Sequence, residues 1–269
     1  MMKPLCTMIL AASALFAPFL CRGGEPRPVI VLKLDDLTSK GLKGKTEVRR
    51  PWNILNDFLS SKGIRYGIGV HGETFAIDHQ PTIDWIKRLH DSGNVEFWCH
   101  GFRSSRDKQP DGSLEPAEFE GSYEEQKAIL RKCEELAQEK LGFPLRAFGP
   151  HWSGVNAGTA KALSEIPEIK VWFFGPADLA AASGKCVYDR PINLEDPIFV
   201  PDPVKFKAAW EKSGKNRKVI ALQGHPQQWG WEENTPRWKG FREIIEFLIS
   251  EGCTFDTPSG YYEKNVLRK

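Results

Sequence analysis

A chain of 269 residues with 41% hydrophobic and 27% charged residues has the make-up of one large globular domain, and a disordered chain is excluded. Lys+Arg number 37 and Asp+Glu 35, so the basic surplus that a nucleic-acid binder needs is missing. Nine Trp and sixteen Phe suit a groove with aromatic walls as readily as a packed core.

Met1-Met2-Lys3, followed by the mostly apolar Leu5 to Leu20, reads as a signal peptide over residues 1–23, which leaves 24–269 as a single domain. The run is too short, and too well punctuated by Pro18, for a transmembrane helix. A secreted or periplasmic protein is expected. Cleavage removes Lys3 and Arg22, taking Lys+Arg from 37 to 35 and making the mature chain near neutral. The cluster Lys40, Lys43, Lys45, Arg49, Arg50 reads as a solvated loop face, with contact to an acidic glycan as the alternative. Cys99, Cys133, Cys186 and Cys253 remain after cleavage and show no Cys-x-x-Cys spacing. They allow three pairings, and free buried thiols are an equal alternative.

Val29 to Leu34 is an apolar, β-branched run long enough for a buried strand, and it ends in two adjacent carboxylates, Asp35 and Asp36. Pro51 then opens a helix through Leu59 that stops at Gly63. Ile64 to Val70 reads as a second strand ending at His71-Gly72-Glu73, Pro81 to Leu89 as a helix, and Val95 to Cys99 as a strand ending at His100. A loop over Gly101 to Gly121 is long enough to suggest function. Ser122 opens a long amphipathic helix that Gly142 ends. Leu145 to Phe148 is a short strand opening onto Gly149-Pro150-His151-Trp152, Asn156 to Ile166 a helix, and Val171 to Phe174 a strand. Residues 175–205 are rich in Pro and Gly, with short strand candidates at Cys186–Tyr188 and Ile198–Val200. Val204 to Lys212 is helical in pattern. Val219 to Leu222 is a strand leading to Gln223-Gly224-His225, and a last helix, Trp238 to Ser250, precedes the strand Cys253 to Phe255.

Strands alternating with helices call for a parallel sheet. With about seven strand–helix units and no Gly-x-Gly-x-x-Gly after the first strand, a distorted (β/α)7-type barrel is favoured over a dinucleotide-binding sheet. In such folds the chemistry sits at the C-terminal ends of the strands. Four of the six histidines fall at such ends: His71, His100, His151 and His225. Carboxylate and imidazole ligands suit zinc or another divalent metal, and a carboxylate left over can serve as a base.

The chain resembles the NodB-type polysaccharide deacetylases, carbohydrate esterase family 4, over roughly residues 29 to 262. Leu34-Asp35-Asp36 resembles the family's Thr-Phe-Asp-Asp-Gly motif, and Val95 to Ser104 the strand bearing its His-x-x-x-His motif. Ser122 to Trp152 resembles the long helix and Arg-Pro-Pro-Tyr loop, Leu222 to His225 the late Leu-x-His motif, and Glu243 to Phe255 the closing helix and strand. The resemblance implies metal-dependent hydrolysis of an acyl group on a carbohydrate, with Asp35 as general base, Asp36 and His100 as metal ligands and His225 as general acid. The chain departs from the pattern at several positions, with His151-Trp152 in place of the motif's Pro-Tyr. The second metal histidine maps onto Ser104, the base-orienting arginine onto Gly149, and the glycine after the aspartates onto Leu37. His151 is the expected replacement ligand and Arg103 the expected replacement cation, with His71 and Glu73 as further candidates. Trp98, Trp152, Trp229 and Trp231 are candidate sugar-stacking platforms. A metal-free hydrolase or lyase on the same barrel, or a glycan binder without catalysis, are the alternatives.

Overall fold

The computed structural model describes residues 27–267. The expected signal peptide, with Cys6 and Cys21, lies outside the described residues. The first half of the described chain comprises β1 (Val29–Leu37), α1 (Arg50–Ser61), β2 (Tyr66–Val70), α2 (Glu73–Ile77), α3 (Gln80–Asp91), β3 (Val95–Cys99) and α4 (Tyr123–Leu141). Next come β4 (Ala147–Phe148), α5 (Ala157–Ser164), β5 (Val171–Phe173), α6 (Ala177–Ser183), β6 (Cys186–Tyr188) and α7 (Pro203–Ala209). The chain closes with β7 (Val219–Gly224), α8 (Pro236–Ser250), β8 (Thr254–Asp256) and α9 (Pro258–Asn265).

All strand pairs are parallel, in the order β6-β5-β4-β3-β2-β1-β7. One edge of β1 is shared: β8 pairs with Val29 to Val31, and β2 with the C-terminal half. No ladder joins β6 to β7 among the described residues, so the expected α/β barrel is open along that line.

Period-2 alternation sorts the strand residues into two faces. Ile30, Leu32 and Leu34 point outward into the larger core beneath the helices, with Trp52, Phe97, Trp172 and Trp238. Val31, Trp98, Ala147, Val171, Phe173, Tyr188 and Ala221 form the smaller cluster inside the barrel. Lys33 and Asp35 share the face of Val31, and His100 that of Trp98. One parity therefore carries the inner packing at the bottom of the barrel and the polar groups at the top. The glycines of β2 make this possible: a Cβ at Gly69 would meet the Trp98 ring at 2.4 Å, so only glycine lets that indole cross the barrel.

The helices stop and start where their caps dictate. Ser122 and Glu125 form a reciprocal capping box at the start of α4, and Gly142, with φ 86°, ends it in the left-handed region. Three helices go beyond the sequence expectation. α2 and α6 span only five and seven residues, too few to show a helical period. α9 lies beyond the last expected strand and seats Tyr261 against Tyr188 at 5.6 Å, plugging the barrel floor. Ile198–Val200 forms no strand. It belongs to a turn in which Phe199, with φ 71°, sets its ring edge-on to His225 at 4.9 Å. The four cysteines among the described residues are free thiols, Cys99, Cys133 and Cys253 of them buried.

Candidate metal centre and acid–base pair

The bend that builds the site lies inside β1. Leu34 pairs with Ile68 and Leu37 with Val70, so three steps of β1 span two of β2, a bulge located at Asp35 and Asp36. Adjacent strand residues would normally face opposite sides of the sheet. Asp36 takes φ 77°, and this turns its carboxylate back over the same barrel mouth as Asp35. A left-handed conformation at a non-glycine residue costs about 1–3 kcal/mol, and such strain gathers at functional sites. Trp152, Ser153, Phe174 and Phe199 share it, all in loops at this end of the barrel.

Asp36, His71, His100 and His151 each offer one ligand atom, and the four atoms lie within 4.8 Å of one another. Backbone bonds continue the sheet past the strand ends and fix two of these positions: His71 N donates to Leu37 O at 3.1 Å and His100 N to Val70 O at 3.1 Å. Three imidazole Nε2 atoms converge on Asp36 Oδ1, at 3.2 Å from His100 and 3.5 Å from both His71 and His151. The outer nitrogens set the tautomers. A carbonyl can only accept, so Nδ1–H of His100 donates to Gly149 O at 2.6 Å and Nδ1–H of His151 to Arg103 O at 3.3 Å. Both Nε2 lone pairs then face Asp36, which is the arrangement of metal-ligating histidines and their supports.

The electrostatics agree. Burial holds His71 and His151 neutral, His151 at about 3, reinforced by the neighbouring imidazoles. Asp36 Oδ1 and His71 Nε2 are buried without a hydrogen-bond partner. Orphaned polar atoms aimed at one point are costly unless something binds there. The donor set fits a divalent cation of the zinc type.

Asp35 stands beside this cluster, fully buried. Its Oδ2 accepts from Lys33 Nζ at 2.5 Å and Gln223 Nε2 at 2.7 Å, and lies 3.6 Å from His100 Nε2 and 3.8 Å from His225 Nε2. Oδ1 has no partner. Burial would raise the Asp35 carboxyl, but Lys33, then His100 and His225, hold it below its ordinary value. Across the mouth, His225 Nδ1–H donates to Glu195 Oε2 at 2.6 Å, and His225 N and Trp229 Nε1 donate to Oε1 at 2.8 and 2.7 Å. Burial works against a charged His225, but the Glu195 bond and the Asp35 and Glu195 charges prevail and raise its pKa. Asp35 stays ionised while His225 is pushed towards the imidazolium, the division of labour an acid–base pair requires.

The sequence expectation is corrected at three residues. Arg103 does not replace the missing arginine: its side chain is held by Glu115 at 2.5 Å and Glu118 at 3.4 Å, and the cation on Asp35 is Lys33. Trp229 has 1% of its surface exposed and packs on Trp238 and Phe241, so it has no face for a sugar and instead braces Glu195. Trp98, also fully buried, is barrel packing. Trp152 lies at the rim, stacked on His151 at 3.7 Å with the Arg106 guanidinium 4.8 Å from its ring, and so steadies His151. Trp231, 53% exposed, keeps an open face. Ser104, in the place of the second motif histidine, hydrogen-bonds through its hydroxyl to Glu73, which also accepts from Thr38 at 3.0 Å. Glu195 and Lys33 go beyond the sequence candidates. Lys33 carries a signal, a lone charge inside an apolar strand, whereas Glu195 lies in a stretch without periodicity.

A cavity of about 220 Å³ opens beside His225, between Arg190, Asn193, Ile198 and Gln223. A larger hollow of about 680 Å³ runs along α1 and α3 on the outer wall and gathers no comparable donor set. Converging chemistry, not volume, locates the site.

No sequence-family profile matches the chain, and neither does any curated protein. Solved structures do. The family 4 carbohydrate esterase domain of a multidomain xylanase from the hindgut metagenome of Trinervitermes trinervoides superposes with TM-score 0.57 at 14% identity, over 89% of this chain and 91% of that one. A family 4 acetyl xylan esterase from Clostridium thermocellum, in complex with a cobalt ion, gives TM-score 0.55 at 16% identity over 87% and 90%. The fold is that of the family 4 carbohydrate esterases. A family 4 pseudoenzyme from Bacillus anthracis also matches, with TM-score 0.52 at 9% identity over 87% of this chain and 64% of its own. The esterase fold thus occurs with and without activity, and the residues of the site must decide.

Proposed function

We propose that the protein is an exported, metal-dependent hydrolase that removes acetyl groups from a carbohydrate. The observation that carries this reading is the convergence of Asp36, His71, His100 and His151 within 4.8 Å, beside an Asp35–His225 pair 3.8 Å apart. The four converging residues would hold a divalent cation, zinc in the first instance, which supplies Lewis acidity to water and to an acyl oxygen. Asp35 Oδ1, the one oxygen of that carboxylate without a partner, takes the proton from the attacking water. Water adds to the acyl carbon, the bond to the sugar oxygen or nitrogen breaks, and Nε2–H of His225 protonates the leaving atom. Glu195 holds that imidazole by Nδ1, so the donating edge stays turned to Asp35 and the mouth. The cavity beside His225 would take the sugar ring, and Trp152, Arg103 and the exposed Trp231 would border the groove at the rim.

Four protein donors are one more than catalytic zinc generally uses, because four close a tetrahedral site. If a reacting oxygen is to share the cation, His71 or His151 would be the residue to give way. A closed site without turnover is the second reading, favoured by that donor count alone.

Acetate release is the direct test. The zinc-reconstituted protein is incubated with acetylated xylo-oligosaccharides and with N-acetylglucosamine oligomers. Release from either supports the proposal, and none from both by protein with zinc bound contradicts it. Glu195→Gln adds a pH test. The acid must be protonated, so turnover falls as pH rises through the pKa of His225, which Glu195 raises. Removing the Glu195 charge lowers that pKa, and the alkaline limb of the pH–rate profile moves to lower pH. An unmoved limb would mean that Glu195 has no hold on the acid.

A further inference from the structure

Lys33 sits in the interior of β1 with 2% of its surface exposed, where every strand neighbour from Val29 to Leu34 is apolar. Its ammonium lies 4.7 Å from the Trp98 ring centre, 5.4 Å from that of Phe174 and 5.8 Å from that of Phe173, and 2.5 Å from Asp35 Oδ2. A wall of aromatic faces suits a cation and leaves it one strong acceptor. The path of the side chain is open for one reason. A Cβ at Gly149 would lie 2.9 Å from Lys33 Cε and 3.2 Å from Trp98 Cζ3, so a side chain at 149 would crowd the lysine. Position 149 is also where the family resemblance puts the base-orienting arginine. An arginine there would press on the Lys33 chain.

We propose that Lys33 is the positioning residue of the general base, delivered from the strand that carries the base, and that Gly149 is the matched void that admits it. This rests on the reading of Asp35 as base. Two donors, Lys33 Nζ and Gln223 Nε2, anchor Oδ2, and the Gln223 amide is itself held through its oxygen by Arg190. The carboxylate cannot swing away without losing both bonds, so its place beside the His100 and His225 Nε2 atoms, 3.6 and 3.8 Å from Oδ2, is fixed.

The test compares wild type, Lys33→Met and Lys33→Met/Gly149→Arg, all zinc-loaded, by steady-state kinetics on the acetylated probe that wild type hydrolyses and by crystal structures. In Lys33→Met, kcat falls by about a hundredfold, the scale of a misplaced reacting group, while KM stays within about threefold and zinc stoichiometry is unchanged. The Asp35 carboxylate is rotated in its crystal structure. The double variant regains about tenfold or more in kcat and shows a guanidinium on Asp35 Oδ2. Wild-type kcat in Lys33→Met, or an unrotated Asp35, overturns the proposal. If Lys33→Met does not fold, the double variant decides: a folded, zinc-binding double variant without turnover also overturns it. If wild type releases no acetate from either probe, the deacetylase reading falls separately, and the Asp35 orientation in the crystal structures decides the role of Lys33.

Discussion

Replacing Asp35 with asparagine is expected to lower kcat/KM for the acetylated substrate by about a thousandfold, inside the range of about 10²–10⁴ for a positioned base, while zinc remains bound. The substitution keeps the shape of the side chain and changes what it can accept. Lys33 Nζ and Gln223 Nε2 both donate to Oδ2 in the native site, so the amide oxygen of the introduced asparagine is drawn to that side. Its NH₂ is then left pointing where Oδ1 had stood bare, a donor where the reaction needs an acceptor. Zinc is retained because none of the four converging ligand atoms belongs to Asp35. Turnover within about tenfold of wild type, measured by acetate release, would remove Asp35 from the mechanism.

The second large effect is on stability. Lys33 and Asp35 are 2% and 0% exposed, and breaking a buried pair by removing one partner costs about 3–5 kcal/mol because the other charge is stranded. In a domain of this size each kcal/mol lowers Tm by about 2–4 °C, so Lys33→Met is expected to melt roughly 10 °C below wild type. Lys33→Met/Asp35→Leu removes both charges and should recover most of that loss, since buried pairs can be replaced by apolar residues at little cost. Calorimetry at pH 7 measures both. A loss below about 3 °C in the single variant would mean that water or another group relieves Asp35. A stable but inactive double variant would place the value of the pair in function rather than in folding.

Much of this was legible in the sequence, for a physical reason. Asp35, Asp36, His100, His151 and His225 stand at or just beyond the ends of apolar runs, and a strand buried on both faces tolerates polar groups only there. Tertiary neighbours hid the rest. His71 was a candidate at the end of its own apolar run, but the bulge that turns the Asp36 carboxylate toward it and the ends of β2 and β3 is a backbone event without a composition signal. Lys33 gains its role from an empty position more than a hundred residues away, at Gly149. Trp229 lies in a polar stretch, yet α8 folds back over it and buries the ring against Trp238 and Phe241. Glu195 lies where Pro and Gly erase periodicity, so nothing local marks it as the partner of His225. α2 and α6 are shorter than the window in which a helical period emerges.

On the proposed reading Asp36, His71, His100 and His151 hold one divalent cation. Zinc titration calorimetry on chelator-stripped protein, with His71→Ala/His151→Ala alongside, tests it most directly. One equivalent in wild type, and an affinity more than about a hundredfold weaker in the double variant, is the predicted result, since even outer-shell changes at metal sites cost about 10–100-fold. No binding by folded wild type, or undiminished binding by the double variant, would contradict the account.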